Sequence, residues 1–159
     1  LFVSHGQGEP ASAGLLWLGA ACGALPDVDM FAAFARTHSI VIENAKQSHR
    51  AYITHTPLFW LCAGAIIFFT TGDMTVSLIV TLAPLSHLFL DSLEDEIRWL
   101  WPCSQNGYRI FKRKNDLAIP RMPFFSYWIT FVQWYWTHRR LTAVLELILV
   151  ADTIALALF

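Results

Sequence analysis

Apolar residues run almost without interruption through four stretches of the chain: Ala11 to Leu25, Pro57 to about Thr71, Met74 to about Leu93, and Leu141 to Phe159. Each is long enough to predict a helix. The first is short and rich in Gly and Ala, which suits close helix packing in a membrane, and Pro26 is expected to end it. A polar stretch from Asp27 to Thr56 follows, with a short amphipathic piece around Phe31 to Arg36. Pro57 is well placed at the first helical position, where Thr56 can cap the free amides. The turn Thr71-Gly72-Asp73 joins the second stretch to the third, so the two predict a helical hairpin, with a kink expected at Pro84. Beyond Trp101-Pro102, a basic loop holding Arg109, Lys112, Arg113, Lys114 and Arg121 leads into an aromatic run from Phe124 to Trp136.

Composition changes the medium in which these helices are expected to sit. Hydrophobic residues make up 55% of the 159, and charged residues only 14%, where an ordinary soluble domain carries about a quarter. The chain is therefore read as an all-α, integral membrane helical bundle in a single domain over residues 1–159. The three cysteines form no CxxC pattern, and neither a disulfide nor a cysteine metal site is expected. The net charge of -1 conceals an uneven distribution. No Lys or Arg occurs before Arg36, between Arg50 and Arg98, or after Arg140.

The candidate chemistry lies in short constellations between the helices: Pro26-Asp27-Val28-Asp29, His49-Arg50 leading to Thr54-His55, Ser86-His87 followed by Asp91, and Trp101-Pro102. Imidazoles and carboxylates together hold borderline divalent cations such as zinc and usually leave a position open for water. A geometric argument supports grouping them. If the first three helices each cross a bilayer, the end of the first, the start of the second and the end of the third share one face. Asp27 and Asp29 follow the first helix, His55 precedes the second, and His87 with Asp91 lies near the end of the third. His87 and Asp91, four apart, stack on one helix face, whereas His49 and His55 are six apart and the segment between them must turn. Lys and Arg concentrate in the connections on the ligand side, which by the positive-inside tendency places that face in the cytoplasm. The aromatic run is then an interfacial or re-entrant segment, its Trp and Tyr residues at headgroup level.

The ordered set PDxD, HR to TH, SHxxxD and WP, over roughly residues 23–108, resembles the YdjM-like membrane-bound metal-dependent hydrolases, also described as LexA-binding inner-membrane hydrolases. That group looks distantly similar to the zinc-dependent phospholipase C and P1 nuclease enzymes. The resemblance implies metal binding by Asp27, Asp29, His49, His55, His87 and Asp91. This sequence departs from the pattern at Met30, where a histidine is usual, and around His49 to His55, where a spacing one residue longer lacks the usual glycine. His5 is a weak match to an amino-terminal family histidine. Glu94-Asp95-Glu96 replaces a stretch richer in Thr, Pro and Gly, and either faces a metal or forms a solvated helix end.

The function expected from these readings is a membrane-bound hydrolase that uses a metal-activated water on a phosphoester or lipid-derived substrate. Zinc is the expected cofactor, as two or three ions, with Asp27 or Asp29 bridging and a carboxylate off the metal serving as general base. Arg50 is expected to pair with an anionic substrate, while Thr54 and Ser86 support the ligands. The alternatives are a divalent-metal transporter and a non-catalytic, metal-stabilised membrane scaffold. Expected partners are membrane lipids and a small-molecule or lipid substrate; a protein partner is compatible, and nucleic acid is not expected. Localisation is the inner membrane, multi-pass, with the metal site facing the cytoplasm. His138, Arg139 and Arg140 read as an interfacial basic cluster, and Glu146 should face protein.

Overall fold

A computed structural model describes residues 12–38, 49–111, 119 and 122–158. Among the described residues six α-helices carry the fold: α1 (Ala13–Ala24), α2 (Asp29–Thr37), α3 (Pro57–Thr71), α4 (Met74–Glu94), α5 (Phe124–His138) and α6 (Arg140–Leu158). Short 3-10 turns at Leu25–Val28, His49–Ala51 and Ile53–His55 supply the joints. Among the described residues the only strand-like pairing is an isolated bridge between Ile97 and Tyr108.

Local chemistry explains most of the boundaries. Ser12 accepts a hydrogen bond from the Leu15 amide at the start of α1, and Asp73 does the same for the Val76 amide of α4. Each satisfies an amide with no partner inside its helix. Gly72 closes α3 in the left-handed region at φ 70°, a conformation that costs glycine nothing. Pro57 does open α3, but Thr56 does not cap it: its hydroxyl donates to the Ile53 carbonyl at 2.6 Å, inside the preceding turn.

Pro26 marks the end of α1 as expected, the α-helix closing at Ala24. It enters the first positions of the 3-10 turn Leu25–Val28, and the chain continues directly into α2. A proline there lacks only an amide hydrogen that a helix start leaves unused. Pro84, by contrast, lies inside α4, which runs through it without interruption.

The apolar run Ala13–Arg36 and helix α4 are each long and hydrophobic enough to cross a membrane, yet only 17% and 28% of their apolar windows are buried inside the protein. A core helix of a soluble protein would be mostly covered. Large apolar side chains point outward along α3, α5 and α6, among them Phe69, Phe125 and Ile129, as expected where lipid is the solvent.

Helix α4 is central, packing against both α1 and α3, while α1 also contacts α6. The α3–α4 seam is tight: a Cβ added to Gly64 would lie 1.8 Å from Thr81 Oγ1, and Ser77 Oγ donates to the Gly64 carbonyl at 2.8 Å. Two apolar clusters flank the polar centre. Trp60, Leu88 and Ile97 form one, whereas Tyr127 and Ile119 form the other, against which Met30 and Phe34 of α2 pack. Met30 thus supplies core contacts where a histidine was expected.

Candidate metal centre

The 3-10 turn after α1 presents Asp27, and the first turn of α2 presents Asp29. Opposite them the chain folds into two short turns, His49–Ala51 and Ile53–His55, separated by extended Tyr52. This is the turn that the spacing of His49 and His55 required. The second turn is pinned over the start of α3 by the Trp60 indole, which donates to the Thr54 carbonyl at 2.7 Å. His55 is fully buried there. The third contribution comes from the last turns of α4, where His87 and Asp91 share a face one turn apart.

Three donors converge. Asp27 Oδ1 lies 3.6 Å from His55 Nε2 and 3.5 Å from His87 Nε2, and the three atoms all lie within 4.8 Å of one another. Two imidazole nitrogens and one carboxylate oxygen suit a borderline divalent cation. His87 Nε2 is buried without a hydrogen bond, and an unsatisfied buried nitrogen facing two other donors fits an ion between them. Asp27 is the accessible edge, with 43% of its side chain exposed against none of His55.

Asp29 and Asp91 approach the same group from behind. Asp29 Oδ2 lies 2.9 Å from His55 Nδ1, the nitrogen on the far side of the ring, and also accepts the Thr54 hydroxyl. Such a carboxylate fixes the tautomer and aims the other nitrogen. Asp91 Oδ2 lies 3.8 Å from His55 Nε2 and 3.9 Å from His87 Nε2, but it accepts from Arg50 Nε at 2.9 Å. Arg50 also reaches Asp95 at 3.0 Å. The His49 backbone begins a described turn, whereas its side chain, like His5, lies outside the described residues. Ser86 turns away, donating to the Ala83 carbonyl.

Electrostatics follows from this packing. Burial alone would lower the pKa of His55, but the carboxylates of Asp27 and Asp29 outweigh it and hold the imidazole above its ordinary value. Burial acts in the same sense on Arg50, where Asp91 and Asp95 prevail and keep the guanidinium charged.

Two residues of this centre escaped the sequence reading. Asp95 is buried between Arg50 and Arg139, at 3.0 and 2.5 Å, so it is not part of a solvated helix end. Arg139 is also buried, stacked on Trp134 and donating to the Glu94 carbonyl, and so is no member of an exposed interfacial cluster. The one signal for Asp95 was its position four residues after Asp91. Nothing local marked Arg139, whose partner lies on another helix.

Apolar helices that bury little of themselves, meeting at a polar cluster of histidines and aspartates, define a membrane protein with a candidate metal centre at its helix ends. The sequence model of the YdjM inner membrane protein family matches residues 2–159, and the chain belongs to that family. No curated protein and no solved structure is significantly similar to it.

Proposed function

We propose that this inner membrane protein is a metal-dependent hydrolase built on a single divalent cation, most readily zinc, held by Asp27, His55 and His87. The convergence of their three donor atoms carries this reading. Charge balance supports it. Four carboxylates, Asp27, Asp29, Asp91 and Asp95, face two guanidiniums, Arg50 and Arg139, so the cluster is short of two positive charges when both imidazoles are neutral, a deficit that one divalent cation or two protonated rings would fill. Buried charge of one sign demands compensation.

Three protein ligands are the pattern of catalytic rather than structural zinc sites. A cation so held supplies a lowered pKa for water and stabilisation of negative charge on a phosphoryl or carbonyl oxygen. The protein side of the chemistry is divided among named groups. Asp29 holds His55 in orientation, Asp27 opens the pocket to solvent, and Arg50, its fork engaged by Asp91 and Asp95 instead of being open to an anionic substrate, fixes those carboxylates beside the donors. Asp91, positioned off the triad by Arg50, is the carboxylate placed to accept a proton.

The reading places the centre at the cytoplasmic surface, because the Thr71-Gly72-Asp73 turn at the opposite end of α3 and α4 carries no Lys or Arg. Substrates presented there are lipid headgroups or soluble phosphoesters. The test is elemental mass spectrometry of detergent-purified protein, followed by assays with chromogenic phosphodiesters, phosphomonoesters and carboxylic esters. About one zinc per chain with metal-dependent turnover supports the reading; metal-free protein purified without chelators ends it. Stoichiometric metal without turnover, but with cation flux in liposomes, replaces hydrolysis with transport.

A further inference from the structure

The charged groups behind the three donors form one continuous chain. Arg139 Nη2 lies 2.5 Å from Asp95 Oδ1, Asp95 Oδ2 lies 3.0 Å from Arg50 Nη2, and Arg50 Nε lies 2.9 Å from Asp91 Oδ2. That same Asp91 oxygen stands 3.8 and 3.9 Å from the Nε2 atoms of His55 and His87. A single oxygen therefore lies between a guanidinium on one side and the ligand cluster on the other. Asp91, Asp95 and Arg139 are all buried, and with little water to screen them, each charge governs how its neighbours are shared.

We propose that the Arg139–Asp95 pair is a positioning device: it sets how firmly Arg50 holds Asp91, and thereby whether Asp91 joins Asp27, His55 and His87 as a fourth ligand. The inference rests on the single-cation reading above and concerns the openness of that same site.

Arg50 forks between two carboxylates. Because Asp95 also has Arg139, it draws only part of the Arg50 charge, and Asp91 keeps the rest. Arg139 is itself held firmly, by the Glu94 carbonyl at 3.1 Å and by the face of Trp134 at 5.4 Å. Thr142, one turn further along α6, donates to the Glu94 carboxylate at 2.6 Å. Removing the Arg139 charge leaves Asp95 with Arg50 alone, so the guanidinium shifts toward Asp95 and releases Asp91 to the ligand cluster. Removing the Asp95 charge does the reverse, strengthening the hold of Arg50 on Asp91. The two halves of one ion pair thus have opposite effects on the site; the field of each lost charge shifts affinity in the same directions, so a change of ligand set on loss of Arg139, and none on loss of Asp95, is the mark of positioning.

The test is titration of the full-length, detergent-purified protein with cobalt(II), reading visible absorption and competition affinity. Arg139→Gln is expected to bind cobalt about tenfold more tightly, with a changed ligand-field spectrum, the low end of what residues behind metal ligands do. Asp95→Asn is expected to bind severalfold more weakly, with the spectrum of the unaltered protein. Arg139→Lys restores the charge and should return both readouts toward the original. Thr142→Val loosens the same helix junction without changing charge, and should lower the thermal midpoint alone. Shifts of the same sign in Arg139→Gln and Asp95→Asn, or no shift in folded Arg139→Gln, overturn the positioning role. If Arg139→Gln does not fold, Arg139→Met and Asp95→Asn decide by their spectra: a changed spectrum in the first with an unaltered one in the second supports the role, and any other pair of spectra overturns it. Failure of the unaltered chain to bind cobalt is a distinct result that overturns the cation reading itself.

Discussion

Asp29 binds His55 through Nδ1, at 2.9 Å, and so turns Nε2 of the same ring toward Asp27, 3.6 Å away. Two aspartates one residue apart from a shared neighbour thus have different tasks, one beside the proposed cation and one behind its ligand.

That division makes their variants distinguishable. Asp27→Ala and His87→Ala each remove a donor and should leave purified protein with little metal. Asp29→Asn keeps all three donors but loosens the His55 ring, weakening affinity by about 10- to 100-fold. Elemental mass spectrometry after dialysis against graded chelator separates the two classes; equal losses would contradict the division.

The raised pKa of His55 gives the cation-free protein a pH dependence whose sign is fixed. A folded-state pKa above the unfolded value stabilises the fold fully below the unfolded pKa, near 6.5, and that contribution disappears as pH rises through the folded value. Thermal midpoints in chelator should therefore fall as pH increases from about neutrality. Metal needs the neutral ring, so affinity should rise over the same interval and proton release should accompany binding. Calorimetry in buffers of different ionisation enthalpy measures that release.

Arg50 is bonded to two buried carboxylates. Arg50→Met leaves both without a shared counter-charge and should destabilise cation-free protein by about 3–5 kcal/mol, the usual cost of breaking a buried pair from one side. Chemical unfolding in detergent provides the measure. Arg50→Lys should recover only part, because one ammonium cannot reproduce the fork.

Gly64 lets α3 approach α4 where Thr81 stands. Gly64→Ala should destabilise by about 1–3 kcal/mol through overpacking, and the added change Thr81→Ala should recover much of it. Non-additivity in that double-mutant cycle is the signature of a shared contact.

Helix placement was legible in the sequence because it depends on local features: unbroken apolar runs, Pro57 at a helix start, Gly72 and Asp73 at a turn. Pro26 marked the end of α1 correctly, but not that the chain continues through a 3-10 turn straight into α2, because a proline is equally welcome in a loop and in the first positions of such a turn. The grouping of Asp27, His55 and His87 followed from counting helix ends. Distances between donors did not, so the sequence suggested two or three ions where the described residues provide one set of three donors. Asp95 and Arg139 were harder still. Each looks like surface charge in its own segment, and each is buried by a partner far away in the chain.

That long-range ion-pair chain also orders the assembly of the protein. Synthesis runs from the amino terminus, and Asp27, His55, His87 and Asp91 are all made before the junction between α5 and α6. Until Arg139 arrives, Asp95 and Asp91 both compete for Arg50, and the centre is at its most acidic. On the positioning proposed above, a chain made only as far as α4 would hold a cation more tightly than one in which α5 and α6 have docked, and docking would turn a trap into an open site.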